Sequence, residues 1–278
     1  MRRSRPTGWR RHSEAIHAWL ERLYLRYHDA SFIGTDPLLF LHRYARPEDQ
    51  EIVGLIASSL AYGHVTMINR NVDQVLRVMH PSPRAFLEQA RSEAIHIAFR
   101  DFRHRWTDGS SISSLLLGIR DAIHRHGSLG RAFLAVDAPH VPIQITLSKW
   151  VALLHVEKIG VARPLLADPA GGSACKRLHL FLRWMIRRDV IDPGCWRDMI
   201  APSRLMIPLD THMFRLARKV GFTRRLQPDG QAVADITDAF RTWCPDDPVK
   251  YDFALTRPGI VHGWTPTGKQ PWLTEPPG

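Results

Sequence analysis

Apolar and polar positions alternate along this chain with the period of a helix almost throughout. In EDQEIVGLIASSLAYG (48–63), Ile52, Leu55, Ile56 and Leu60 fall on one face, and Gly63 stands where such a helix would stop. VTMINRNVDQVLRVM (65–79) continues with Val65, Ile68, Val72, Val75, Leu76 and Met79. SSISSLLLGIRDAIHRHG predicts a helix between a Ser cap and Gly127. KRLHLFLRWMIRR, THMFRLARKVG and GQAVADITDAFRTW follow the same rule. Alternation of strand type is scarce, and HVPIQITL (140–147) is its best short candidate. Breaks fall at GTDP, HPSP, FRHRWTDGS, ADPAGGS and QPDG, none long enough to be a flexible linker, and no internal repeat is visible. The Pro- and Gly-rich stretch 264–278 reads as a loose tail. The expectation is an all-α protein with short loops.

Composition changes this picture in one respect. Hydrophobic residues at 44% and charged residues at 23% are those of a globular protein. No apolar run approaches the roughly 20 residues of a membrane span, and the basic N-terminus has no signal-peptide core, so a cytoplasmic protein without membrane contact is expected. Three separated cysteines (Cys175, Cys195, Cys244) exclude a four-thiolate metal or cluster site built from this chain alone. The net charge of +11, carried mostly by arginine, is the informative term: a folded domain this basic usually meets a polyanion, either nucleic acid or an anionic membrane surface, and nucleic acid is the expected partner, with a simply Arg-rich proteome as the plain alternative.

Two residues then stand out. In IPLDTHMFRLARKVG (207–221), Asp210 is placed to cap a helix that Gly221 closes, with Met213, Leu216, Ala217 and Val220 inward and Arg215, Arg218 and Lys219 outward. A capping role suffices structurally, yet a carboxylate at a helix start can also face a cleft. In GGSACKRLHLFLRWMIRR, Ser173 reads as the N-cap, which places Lys176 in the first turn. A cation there opposes the helix dipole, which favours the free amine, the form that attacks a carbonyl-like carbon. Leu178, Phe181, Leu182, Met185 and Ile186 form the apolar stripe, and the helical wheel puts Arg183 and Arg187 with Lys176 on the opposite face. A solvated surface lysine is the plain alternative. FRHRWTDG could contact phosphates and bases, or Trp106 could plug the core. The histidines of YHDA and HRHG lack the spacing of a metal site, so no metal is expected.

IPLDTHMFRLARKVG resembles the segment that carries the catalytic Asp of the endonuclease III-like, helix-hairpin-helix DNA glycosylases. DQEIVGLIASSLAYGHVTMINRNVDQVL is similar to their early helix pair, whose connecting loop approaches the damaged base. The run from about Asp36 to Ile260 is closer still to an uncharacterised bacterial family related to those enzymes. LADPAGGSACK ends in a lysine 34 residues before Asp210, a separation nearer that of the archaeal 8-oxoguanine glycosylase branch. The L-P-G-V-G-x-K hairpin and the terminal four-cysteine cluster of endonuclease III are absent.

The resemblance implies a two-lobed helical bundle, with 46–205 as the central lobe and 1–45 joined to 206–263 as the other. It implies Lys176 as Schiff-base nucleophile and Asp210 as catalytic carboxylate, with Tyr62, Gly63 and His64 at the base pocket. DNA would be held around Gly172, Ser173, Arg177, Arg183, Arg187, Arg215 and Arg218. The expected activity is base excision with abasic-site cleavage, by a monomer, on damaged duplex DNA, without a cofactor. Two alternatives belong to other classes: a DNA- or RNA-binding protein that kept the fold without catalysis, and a Schiff-base enzyme acting on a small metabolite, which leaves the charge unexplained.

Overall fold

The computed structural model describes residues 13–155 and 165–262; the expected tail at 264–278 lies outside them. Among the described residues there are twelve α-helices and one two-stranded hairpin, an all-helical architecture. The helices are α1 (Ser13–Tyr27), α2 (Pro47–Ser59), α3 (Val65–Val78), α4 (Pro83–Gln89), α5 (Ser92–Phe99), α6 (Gly109–His126), α7 (Leu129–Leu134), α8 (Ile143–Leu154), α9 (Lys176–Ile186), α10 (Thr211–Val220), α11 (Gly230–Arg241) and α12 (Asp252–His262). The hairpin, β1 (Arg103–His104) and β2 (Thr107–Asp108), precedes α6.

Local chemistry sets most boundaries. Ser82, Asp108, Ser128, Asp210 and Asp229 each accept a backbone N–H in the first turn of the following helix, which satisfies a donor with no intrahelical partner. The cap of α6 is thus Asp108, ahead of the serines expected to serve. Helix α2 ends at Ser59, and Gly63 lies beyond it in the loop to α3. The expected strand at 140–147 is instead the start of α8: Ile143, Thr146, Leu147, Trp150, Val151 and Leu154 are all buried. Their spacing is helical, and an eight-residue window ended before Trp150 and Leu154 could reveal it.

Helix α9 runs through the middle of the core and is buried from Leu178 to Ile186. Its Phe181 stacks on Trp150 with centroids 5.5 Å apart and meets the edge of Trp196 at 5.2 Å. Trp184 and Trp196 are therefore packing residues. Helix α2 crosses α9 closely because Gly54 has no side chain: a Cβ there would lie 2.7 Å from Met185 Cε. Helix α1 packs on α12, so the two ends of the described chain meet. The buried apolar residues form one continuous cluster from Ile16 to Leu255, reaching across both expected lobes.

A buried ionic network ties that cluster together. Arg183, 2% exposed, donates through Nε and Nη2 to Asp192 Oδ1 (3.1 and 2.9 Å) and through Nη1 to Asp252 (2.6 Å). Arg187, 5% exposed, binds Asp192 Oδ2 (2.6 Å), Asp189 (2.8 Å) and Asp247 (2.8 Å). Neither arginine can hold a DNA phosphate, contrary to expectation. Arg183 lies within α9 and Arg187 is its C-cap residue, and both are covered, so their charges are balanced inside the protein.

Asp189 gives this network a pH signature. Burial alone would raise its carboxyl, but the His28 ring, the Arg187 guanidinium and the N–H groups of Asp192 and Ile191 outweigh it and hold the group far below the usual carboxylate range. A depressed carboxylate contributes stability that is present above its unfolded value, about 3.9, and lost as the pH falls through the folded value. Asp189→Asn should therefore lower the melting temperature at neutral pH, and its deficit relative to wild type should shrink progressively below about pH 4. Parallel thermal melts across that range test this; a deficit that grows on acidification would refute it.

Candidate functional site

The segment leading into α9 is built from tight turns. Asp168 accepts Ala170 N–H (2.9 Å) and the Ser148 hydroxyl, and so starts a 3-10 turn at Pro169–Gly171. Gly172 then takes φ +76°, a conformation that favours glycine, and its carbonyl receives Gly230 N–H at 2.9 Å. Ser173 pairs with Asp229 in a single antiparallel bridge, which fixes this turn against the start of α11. Ser173 is not the cap of α9; its hydroxyl accepts Cys175 N–H (3.3 Å), two residues ahead. Cys175, at φ +45°, occupies the N-cap position with no side-chain cap bond, and Lys176 is the first residue of the helix. Burial pushes the Cys175 thiol up, away from the thiolate that nucleophilic chemistry needs.

Asp210 follows a buried extended segment in which Ile207 N–H binds the Thr237 hydroxyl of α11 at 3.1 Å. Its two carboxylate oxygens do different things. Oδ1 accepts His212 N–H (2.9 Å) and Met213 N–H (2.8 Å), the complete capping arrangement for α10, which Gly221 closes at φ +87°. Oδ2 faces the Lys176 ammonium at 3.8 Å. The lysine side chain is 36% exposed and the aspartate 21%, so both remain accessible. Capping and a cleft-facing charge therefore coexist on one carboxylate.

The pair lies in a cleft of about 710 Å³. Of the expected site residues, Tyr62, Gly63, Gly172, Ser173, Lys176, Arg177 and Asp210 all line it. The N-terminal ends of α9, α10 and α11 converge on it through Lys176, Thr211 and Asp229, so their dipoles place partial positive charge around the opening. Arg177 is committed inward: Nη1 donates to Ser59 O at 2.6 Å, and the guanidinium lies 5.2 Å from the Tyr62 ring centroid. Burial raises the Tyr62 phenol above its usual value, and its hydroxyl donates to His104 O at 2.9 Å.

The remaining expected residues are elsewhere. His64 is exposed at the N-cap position of α3, outside the cleft lining, and makes no capping bond. Arg215 and Arg218 are exposed on α10 and do not line the cleft; the Arg218 guanidinium lies 5.9 Å from the Phe214 ring centroid. His212, in the first turn of α10, was passed over in the sequence although it stands two residues after Asp210. Burial holds its imidazole below the usual value; Asp210 pulls upward, while Arg215 and Lys176 reinforce the lowering. A neutral imidazole beside the Lys–Asp pair follows at neutral pH. The D-T-H spacing was its available signal.

Among the described residues no group of three or more His, Cys, Asp or Glu is placed to hold a metal ion, and no helix is long and apolar enough to cross a membrane. No curated protein and no solved structure matches the chain. The profile of one family, described as a protein of unknown function (DUF2400), matches residues 36–261, well over half of the sequence, and the chain belongs to that family.

Proposed function

We propose that this protein is a DNA glycosylase with abasic-site lyase activity, built on a helical framework of the helix-hairpin-helix glycosylase type. The observation that carries the reading is the Lys176 Nζ to Asp210 Oδ2 approach of 3.8 Å inside the 710 Å³ cleft, with the aspartate fixed by its own helix cap. The volume lies in the range of small-molecule sites. The charge of +11 supplies the nonspecific attraction that duplex DNA requires.

In this mechanism the damaged nucleotide leaves the stack and enters the cleft. The bond from C1′ to the base breaks, the base departs with the electron pair and takes up a proton, and positive charge develops on the sugar. The Asp210 carboxylate stabilises that charge. The Lys176 amine bonds to C1′; one of its protons goes to the departing base and the other to the ring oxygen, whose release from C1′ leaves the imine. Loss of a C2′ proton then expels the 3′ phosphate. Arg215 and Arg218, exposed on α10, serve as phosphate contacts.

The imine makes the reading testable. Wild type should form a borohydride-dependent covalent adduct with duplex carrying an abasic site or oxidised base. Lys176→Gln should abolish the adduct while retaining salt-dependent DNA binding, with little change in melting temperature because the pair it breaks is partly exposed. An adduct persisting in Lys176→Gln would assign the nucleophile to another amine. Binding without any adduct on wild type would overturn the lyase step and leave a glycosylase without lyase activity or a non-catalytic DNA- or RNA-binding protein, which base release distinguishes.

A further inference from the structure

A second feature borders the cleft and is not used by the chemistry above. The β1–β2 hairpin turns through Arg105 and Trp106, with Arg105 at φ +54°. Beneath the turn His104 is fully buried: its Nδ1 accepts from Asn71 Nδ2 (2.8 Å), and its Nε2 donates to Tyr62 O (3.1 Å). The Tyr62 hydroxyl returns the tie through His104 O, and it also bonds the Thr107 hydroxyl. These bonds clamp the hairpin to the α2–α3 loop.

The clamp displays Trp106, with Arg105 beside it. The Trp106 indole is 57% exposed, so it is not a core plug, and it lies parallel to Tyr62, with centroids 4.5 Å apart and planes 15° from each other. The exposed Arg105 guanidinium lies 4.9 Å from the indole centroid and its side chain packs beside Gly63, where a Cβ would come within 3.0 Å of Arg105 Cδ. Tyr62 and Gly63 line the cleft, whereas Trp106 does not. A single exposed aromatic is unremarkable. One carried on a hairpin that hydrogen bonds tie to the α2–α3 loop, stacked on a cleft residue and accompanied by a cation has the composition of a nucleobase platform.

We infer that Trp106, backed by Tyr62, stacks a base adjacent to the nucleotide that enters the cleft, while Arg105 moves from the indole to the neighbouring phosphate. This rests on the DNA reading proposed above. Tyr62 supports the indole and is not itself the stacking surface, because its ring already meets Trp106 and Arg177. The occupant is an unpaired or unstacked DNA base: its flat face matches the indole, and its backbone supplies the anion for Arg105.

The test uses the full chain and duplexes that carry 2-aminopurine next to a reduced abasic site. Wild type should change the 2-aminopurine emission on binding. Trp106→Ala should lose that change and weaken binding to this duplex by about tenfold, while affinity for undamaged duplex stays within about twofold. Trp106→Phe should restore most of the signal, since an aromatic face remains. Unchanged emission and affinity in Trp106→Ala, with borohydride trapping on Lys176 intact, would overturn the platform and leave the glycosylase reading standing. Absence of DNA binding by wild type at about 50 mM salt would overturn both.

Discussion

Asp192→Ala is expected to destabilise the fold by about 3–5 kcal/mol, the loss typical of stranding a buried charge. Asp192 is fully buried and receives three hydrogen bonds, two from Arg183 and one from Arg187. Alanine would leave two buried guanidinium groups without their shared counter-charge. Asp252, Asp189 and Asp247 would remain but cannot cover the Arg183 Nε and Nη2 donors. Against a typical total of about 5–15 kcal/mol, this removes a large part of the stability. The melting temperature should fall by about 10 °C. The exposed pair Arg77–Asp73 supplies the control, because Arg77→Ala should change stability by less than about 1 kcal/mol. Equal, small shifts for both variants would mean that the buried network is not a stabilising tie.

Asp210→Asn is expected to separate the two oxygens of that residue. Asn caps a helix nearly as well as Asp, and its carbonyl can accept the His212 and Met213 N–H groups as Oδ1 does now. The melting temperature should therefore stay close to that of wild type. The charge facing Lys176 would be gone; if the proposed glycosylase mechanism operates, the stabilisation of a developing sugar cation goes with it, and excision should fall by about 100- to 1000-fold. Asp210→Ala should lose the same activity and also about 1 kcal/mol of stability. Single-turnover base release, measured beside thermal melts, reads both quantities. An Asn variant that is both stable and fully active would reduce Asp210 to a cap.

The limits of the one-dimensional pattern show in α9 and α8. Periodicity located α9 and its apolar stripe, because one face of the helix is filled by large side chains at helical spacing. It could not show that the polar face is buried too, since the aspartates that neutralise Arg183 and Arg187 come from the loop after α9, the stretch before α12 and α12 itself. The start of α8 looked like a strand for a different, local reason: eight residues end before Trp150 and Leu154 complete the helical spacing. Trp106 was equally ambiguous, because nothing in a loop sequence says which other ring it will meet.

What the sequence determined by itself was local: the helices, whose burial repeats along the chain, the Asp210 cap, which needs only the N–H groups of the next turn, and the net charge. Tertiary structure decided which charges face water and which are locked inside. It also brought Lys176 to within 3.8 Å of an aspartate 34 residues away and gathered three helix N-termini around them. Those outcomes depend on how separate helices pack, and packing is set by shape and burial summed over the entire core, which no short stretch of residues carries.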